Sequence, residues 1–307
     1  MGSWQTISVA VADIQPALAL WVSQMGMTVV FDQTGPDESL AMLWDIAPTD
    51  IKRQVLLSTS DNTVGQLHLV EFESADAPIR KNAQAFDWVP KNLDIYVEDM
   101  PARIAELKNA GYTFSTDDFS EISAPNGMQF REIHMPSHDA INVVLLELIG
   151  VEQPMTEKHY GAVGPLITIV PDAQAENAFV QSVLKLEELS HNILKGPEIE
   201  AMIGLPVGAA LDVSIWGKDA LALGQIEVIE YQGTQGNNLY DRIQGRATGI
   251  RQIRFAVKDL NNLIARLNAN DTAFERYNKV SLLGANGDLI VFHTPAGLRI
   301  EAIESHH

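Results

Sequence analysis

The chain has 307 residues, of which 46% are hydrophobic, with no cysteine and a formal net charge of −19. That length allows a sizeable core and two domains of about 150 residues, and the absence of cysteine excludes disulfides, thiolate metal ligands and cysteine nucleophiles. An acidic chain without a basic stripe repels nucleic acid, no apolar run approaches the ~20 residues that span a bilayer, and no basic segment followed by an apolar one opens the chain as a secretory signal would. The expectation is a cytoplasmic monomer or homodimer whose partner is a small molecule. The ends Met1-Gly2-Ser3 and His306-His307 read as added sequence and are set aside from site arguments.

In chain order, one pattern recurs four times. A strand runs into Asp13 (SVAVAD), a helix follows from Pro16 to Met25, and the strand LHLVEF closes the unit. The second unit has DIYVED ending at Asp99, a helix over 101–109 and a closing VLLELI; the third has ITIVPD ending at Asp172, a helix over 173–184 and IEVIEY; the fourth has RFAVKD ending at Asp259, a helix over 260–268 and RIEAIE. Each Asp suits a helix N-cap, because its carboxylate can accept the unpaired N–H groups of the first turn. Gly26 and Gly111 follow two of the helices as C-terminal glycines do. The halves also match each other: GQLHLVEF at 65–72 and GQIEVIEY at 224–231 lie 159 residues apart, as do Asp13 and Asp172. Such a repeat constrains the fold before any propensity does. The segment 151–164 reads as an interdomain linker, and connectors at 75–91 and 233–249 join units within each half. The second connector carries Tyr240, Arg242 and Arg246 and is either a lid or a simple span.

Four units of β, α and several antiparallel strands resemble the vicinal oxygen chelate superfamily, which includes glyoxalase I, extradiol dioxygenases, fosfomycin-resistance enzymes and bleomycin-binding proteins. The resemblance covers nearly the whole chain and is clearest in GLPVGAALDVSIW, GQIEVIEYQG and FHTPAGLRIEAIE. It implies an α+β fold of four βαβββ modules paired into two eight-stranded cup-like sheets. The domains expected are 1–150 and 165–305, joined by 151–164. Linker economy favours pairing module 1 with 2 and module 3 with 4.

The resemblance also implies where a divalent metal (Mg, Mn, Ni, Fe or Zn) would bind. One ligand place is on each module's first strand, seven residues before the Asp; the other is on its last strand. Carried over, these places are Thr6 and His68, Asn92 and Glu147, Pro165 and Glu227, and Gln252 and Glu301. Pro165 cannot ligate through its side chain, and Thr6 and Asn92 are poor ligands. Sequential pairing would join Glu227, Gln252 and Glu301, an oxygen set suited to Mg²⁺ or Mn²⁺, in one cup, and His68 and Glu147 with Asn92 as a poor third in the other; pairing module 1 with module 4 would join His68, Gln252 and Glu301. Superposing the halves is expected to place His68 on Glu227, Asn92 on Gln252 and Glu147 on Glu301, with about five extra residues near Pro136–Asn142.

The activity implied is a metal-dependent lyase or isomerase acting on vicinal oxygens, with a glutamate such as Glu301 as base. A ring-cleaving dioxygenase ranks lower, since no pairing brings two histidines to ligand places. The alternatives are a metal-free binding or resistance protein, and a metal-free enzyme using His134 and His293, which share the 159-residue offset. His138 and Asp139 read as turn residues, and His159 and His191 as outside any site. Trp44, Trp88, Trp216, Phe130 and Tyr240 either wall a pocket or fill the core. No dinucleotide or phosphate-binding glycine loop, nucleophile elbow or H-E-x-x-H motif is present.

Overall fold

A computed structural model describes residues 1–60, 62–123, 127, 129–218 and 223–305. Module 1 comprises β1 (Thr6–Val11), α1 (Ile14–Leu18), β2 (Thr28–Thr34), α2 (Glu38–Trp44), β3 (Ile51–Ser58) and β4 (Gln66–Phe72). Module 2 comprises β5 (Pro90–Val97), α3 (Met100–Asn109), β6 (Ser120–Ser123), β7 (Gln129–Pro136) and β8 (Asn142–Leu148). Module 3 comprises β9 (Tyr160–Ile169), α4 (Ala173–Phe179), β10 (Glu187–Lys195), α5 (Pro197–Ile203), β11 (Ala210–Gly217) and β12 (Ile226–Gln232). Module 4 comprises β13 (Gly249–Ala256), α6 (Leu260–Ala269), β14 (Phe274–Leu282), β15 (Ala285–His293) and β16 (Arg299–Ser305).

The four aspartates cap their helices as expected. Asp13, Asp99, Asp172 and Asp259 accept hydrogen bonds from the backbone N–H of Gln15, Ala102, Ala175 and Asn262 at 2.9, 3.3, 2.9 and 3.0 Å. The repeated Gly-Gln has a backbone reason as well. Gly65 and Gly224 both have φ +73°, and a Cβ on them would fall 2.7 Å from the Val163 carbonyl oxygen and 2.4 Å from that of Trp4.

Two eight-stranded sheets form, but modules do not pair in sequence. One sheet has the order β14-β15-β16-β13-β1-β4-β3-β2, and the other β10-β11-β12-β9-β5-β8-β7-β6. Module 1 therefore closes with module 4, and module 2 with module 3, through the antiparallel pairs β1–β13 and β5–β9. Halves 1–150 and 165–305 are units of the sequence repeat, and each gives one module to each sheet. Linker economy still operates, on a different link. The shortest connection is that from β8 to β9, which folds back on itself at the Met155–Gly161 bridge, and it keeps modules 2 and 3 in one sheet. The connectors 75–91 and 233–249 instead cross between sheets side by side, joined by Asp76 N–H to Arg246 O at 3.0 Å, Ile79 N–H to Thr248 O at 2.8 Å and Trp88 N–H to Asn237 O at 2.9 Å.

Strand alternation sorts side chains between two faces. In β1, Ile7, Val9 and Val11 join the large core that the helices also pack against, while Ala10 belongs to the cluster on the concave side. The helix between the second and third strands of modules 1 and 3 is absent from the sequence reading, and it behaves differently in the two sheets. In module 1, α2 is N-capped by Asp37 and buries Leu40, Ala41, Leu43 and Trp44 against Ile51, Val70, Phe72 and Val291, filling its cup. In module 3, α5 lies 159 residues later and buries none of its residues fully. The same helix plugs one cup and roofs the other. No helix among the described residues is long and apolar enough to cross a membrane.

Candidate small-molecule site

The closed cup, of modules 1 and 4, holds the residues at the expected metal-ligand places. Pairing brings His68, Gln252 and Glu301 together and leaves Glu227 in the other sheet, so the all-oxygen set Glu227, Gln252 and Glu301 does not assemble. All three residues present are fully buried, and their polar atoms are taken. His68 Nδ1 lies 3.2 Å from Ser8 Oγ, and Nε2 lies 3.1 Å from Gln54 Oε1. Gln252 Oε1 accepts from the Trp44 indole at 3.1 Å and from Arg299 Nη1. Glu301 Oε1 accepts from Arg299 Nη1 at 2.6 Å, and Arg254 Nε and Nη2 both lie 2.8 Å from Oε2. Arg299 Nη2 also donates to the Leu43 carbonyl at the end of α2, at 2.7 Å.

Burial alone would raise the Glu301 carboxyl; the charges of Arg254 and Arg299 and its hydrogen bonds outweigh burial and hold it below the usual carboxylate range. Burial, with the charge of Arg254, holds His68 well below its ordinary value, hence neutral. Arg251 completes the positive cluster, with its guanidinium 4.3 Å from the Trp44 ring centroid and burial lowering it to about 9. A divalent ion does not fit this donor set. Its lone pairs are already used, and two guanidinium groups stand where the ion's charge would be needed.

The open cup, of modules 2 and 3, encloses a cavity of about 200 Å³. Its walls are mainly apolar, with Phe130, Ile167, Leu211 and Val213 among them, and Ile199, Met202 and Ile203 of α5 at the roof. Polar groups converge on it from β5, β7 and β12: Lys91, Asn92, Asp94, Glu132, His134 and Glu227. Lys91 Nζ donates to Tyr231 Oη at 3.3 Å. His134 Nε2 lies 2.7 Å from Glu132 Oε1, and its Nδ1 lies 3.0 Å from Asn142 Nδ2, which also donates to Asn92 Oδ1 at 3.0 Å. Asp94 is 7% exposed, and its Oδ1 is buried without a hydrogen-bond partner. Burial, then the charges of Glu227 and Glu132, push the Asp94 carboxyl well above its ordinary range. Burial and Glu132 raise Glu227 to about 8, and burial and Arg80 lower Lys91 to about 8.

Strand register corrects two expected correspondences. In module 4, Gln252 lies beside Arg299 and Arg254 beside Glu301; in module 2, Asn92 lies beside Asn142 and Asp94 beside Val144. Aligning Asn92 with Gln252 therefore places Val144, not Glu147, on Glu301. Module 2 is longer than module 4 by three residues rather than five over this stretch, 50 from Asn92 to Asn142 against 47 from Gln252 to Arg299. Glu147 corresponds to Glu304. Both accept from a backbone N–H at the start of a helix, Glu147 from Asp99 at 2.9 Å and Glu304 from Leu260 at 3.0 Å; Glu230 does the same with Ala173 at 2.9 Å. Each of these glutamates anchors a helix. The match of His68 with Glu227 agrees with register, since each lies beside a first-strand residue 159 apart, Ser8 and Ile167.

His134 and His293 are likewise not equivalent. His134 pairs with Val144 and His293 with Arg299, so His134 matches Val291. His293 is exposed at the end of β15, beside Arg299 in register, and partial burial and the charge of Arg299 lower its pKa.

Of the expected aromatics, Phe130 lines the cavity, Trp44 belongs to the plug, and Trp216 is buried with its indole on Asn177 Oδ1 at 2.8 Å. Trp88 packs partly buried beside the core. Tyr240 is buried with its hydroxyl 2.6 Å from Thr168 Oγ1, and Arg242 Nη1 donates to the Ile79 and Lys81 carbonyls at 3.2 Å, so the 233–249 connector is a span rather than a lid. His138 does more than turn the chain, because it accepts from the Trp21 indole at 3.0 Å and pairs with Asp139 at 2.9 Å. His159 and His191 pair near the surface with Glu98 and Asp212, outside both cups. His306 and His307 lie outside the described residues.

At the positions that register matches to the expected ligand places, the open cup presents Asn92, Val144, Pro165 and Glu227. Two of these cannot ligate, and among the described residues no group of three or more His, Asp or Glu side chains converges as a metal site. The residues sequence reasoning missed are Lys91, Asp94 and Glu132. Asp94 had a readable signal, since it shares the strand face of Asn92 two residues away.

No protein-family model matches the sequence, and no curated protein matches it. Among solved structures, glyoxalase I from Zea mays superposes with a TM-score of 0.69 at 12% identity, over 98% of this chain and 92% of that one. A protein from Bacillus subtilis provisionally described as a dioxygenase superposes with a TM-score of 0.64 at 10% identity, over 99% of this chain and 86% of that one. The chain has the vicinal oxygen chelate fold in its four-module, two-cup form. At these identities the likeness is one of fold, and function must be argued from the site.

Proposed function

We propose that this chain is a small-molecule-binding protein whose working site is the open cup of modules 2 and 3, and that it takes its ligand without a divalent ion. The observation that carries this reading is Asp94, which lines the cavity and whose buried Oδ1 has no hydrogen-bond partner among the described residues. A buried polar atom left unsatisfied costs about 1–3 kcal/mol, and a ligand that pairs with it recovers that cost. The metal-dependent lyase or isomerase reading would draw on His68, Gln252 and Glu301, whose lone pairs go to protein donors beneath the α2 plug. A metal-free enzyme using histidine finds both ring nitrogens of His134 engaged.

One observation favours a second, catalytic reading. Glu227, raised to about 8, is a protonated carboxylic acid at neutrality beside the cavity and suits a general acid.

The test uses N-phenyl-1-naphthylamine, a neutral dye whose fluorescence rises in apolar cavities. The wild type is expected to bind it, and Met202→Trp, which fills the roof of the open cup, to abolish binding with its unfolding midpoint preserved. Leu43→Met, in the plug of the closed cup, should leave binding unchanged. Binding that survives Met202→Trp would overturn the reading.

A further inference from the structure

The two cups are related by the sequence repeat, yet where the closed cup carries basic groups the open cup carries acidic ones, which burial and mutual repulsion hold protonated when no cation is beside them. Where the closed cup has Arg254, the open cup has Asp94; where it has Arg299, the open cup has Asn142; and where it has neutral His68, the open cup has Glu227. The closed cup thus supplies the cations for its own buried carboxylate, with Arg254 and Arg299 both on Glu301. The open cup has three carboxylates, Asp94, Glu132 and Glu227, and has lost both arginines. Glu132 is engaged by His134. Lys91, the lysine that lines the cavity, is turned to the Tyr231 hydroxyl at 3.3 Å, with its Nζ 5.6 Å from that ring centroid. Asp94 and Glu227 have no ion pair among the described residues, and Asp94 Oδ1 has no hydrogen bond of any kind.

We infer that the open cup selects an organic cation, an ammonium or amidinium head on an apolar body, with the head against Asp94 and Glu227 and the body along Phe130, Leu211 and Val213. The inference rests on the proposal that this cup is the ligand site, and names the ligand's class. The missing charge is one the fold itself supplies in the sister cup, as guanidinium. Apolar walls of this extent favour an organic body over a bare ion, and among the described residues no three His, Asp or Glu side chains group as metal ligands. A charge-assisted hydrogen bond in such a cavity is shorter and about twice as strong as a neutral one, so the head group should dominate selectivity.

The test compares three probes that share one body, 4-phenylbutylamine, 4-phenylbutan-1-ol and 4-phenylbutyrate, by titration calorimetry on the wild-type chain at neutral pH. The amine is expected to bind at least about tenfold more tightly than the alcohol, a difference of about 1.4 kcal/mol, and the carboxylate most weakly. Asp94→Asn and Glu227→Gln should each weaken the amine about tenfold and leave the alcohol unchanged. Equal binding of amine and alcohol, or preference for the carboxylate, would overturn the cation inference and leave the open cup as the site. Failure of all three probes to bind would overturn both. Added MnCl₂ that raises the melting temperature and displaces the amine would identify the missing cation as a metal and overturn the inference. The wild-type comparison requires no variant to fold.

Discussion

Replacing Arg299 by methionine should cost the protein about 3–5 kcal/mol, the usual penalty for breaking a buried ion pair from one side. The structure indicates where the loss falls. Arg299 Nη1 holds Gln252 Oε1 and Glu301 Oε1, and Nη2 holds the Leu43 carbonyl. Methionine keeps the packing volume and removes all three contacts. Gln252 retains the Trp44 indole, but the Leu43 carbonyl loses a donor at the end of α2, and Glu301 keeps Arg254 as its one remaining ion pair. Urea denaturation followed by Trp fluorescence and circular dichroism reads the change as a lower midpoint at constant slope. Adding Glu301→Gln should recover part of the loss, because the double variant no longer buries a half-neutralised charge, and the interaction energy should exceed about 1 kcal/mol. A cost below about 1 kcal/mol, or strictly additive single and double variants, would refute the claim that these arginines neutralise the closed cup.

Asp94→Asn should stabilise the ligand-free protein on the order of 1 kcal/mol above neutral pH, because the folded state holds the Asp94 carboxyl protonated against ionisation; a destabilised variant at pH 8 would contradict its lack of a partner. Glu176 is raised from 4.5 to about 7 by burial, which its hydrogen bonds from Thr294 and Ala296 only partly offset. The folded state then binds more protons than the unfolded state between those values, so this group's stabilisation is complete below about pH 4.5 and is lost as pH rises through about 7, a fall on the order of 3 kcal/mol. Glu176→Gln should remove that slope from the stability–pH profile, and an unchanged slope would assign it elsewhere. Gly224→Ala should cost at least about 1–3 kcal/mol through its left-handed backbone, with more from a Cβ 2.4 Å from the Trp4 carbonyl oxygen; a thermal midpoint equal to wild type would be inconsistent with that turn.

Local rules made the modules legible. Asp13, Asp99, Asp172 and Asp259 were readable as caps because an N-cap is decided by residues within one turn. His68, Gln252 and Glu301 were readable as one possible triad because their strand positions follow from the repeat. Pairing of modules was not legible from half-lengths, since it depends on which connection is shortest in space, and the link between modules 2 and 3 wins. The helix α2 was hidden because ESLAMLW is short and its apolar residues serve a cup that strand patterning leaves empty. Glu147 was misassigned because each last strand can carry two acids three residues apart, as in Glu301 and Glu304, one facing the cup and one a helix start. Arg254 and Arg299 share strand faces with Gln252 and Glu301, so their inward direction was available from alternation alone. What they do there required the third dimension.

The central claim is that one cup is a ligand site and its repeat is closed. Methyl resonances of a selectively labelled sample report on both cups in one titration. With N-phenyl-1-naphthylamine as the probe, shifts are expected at Ile199, Met202, Ile203, Leu211 and Val213 of the open cup, and none at Leu40, Leu43, Val280 and Val291 of the closed one. Shifts confined to the closed-cup methyls would contradict it.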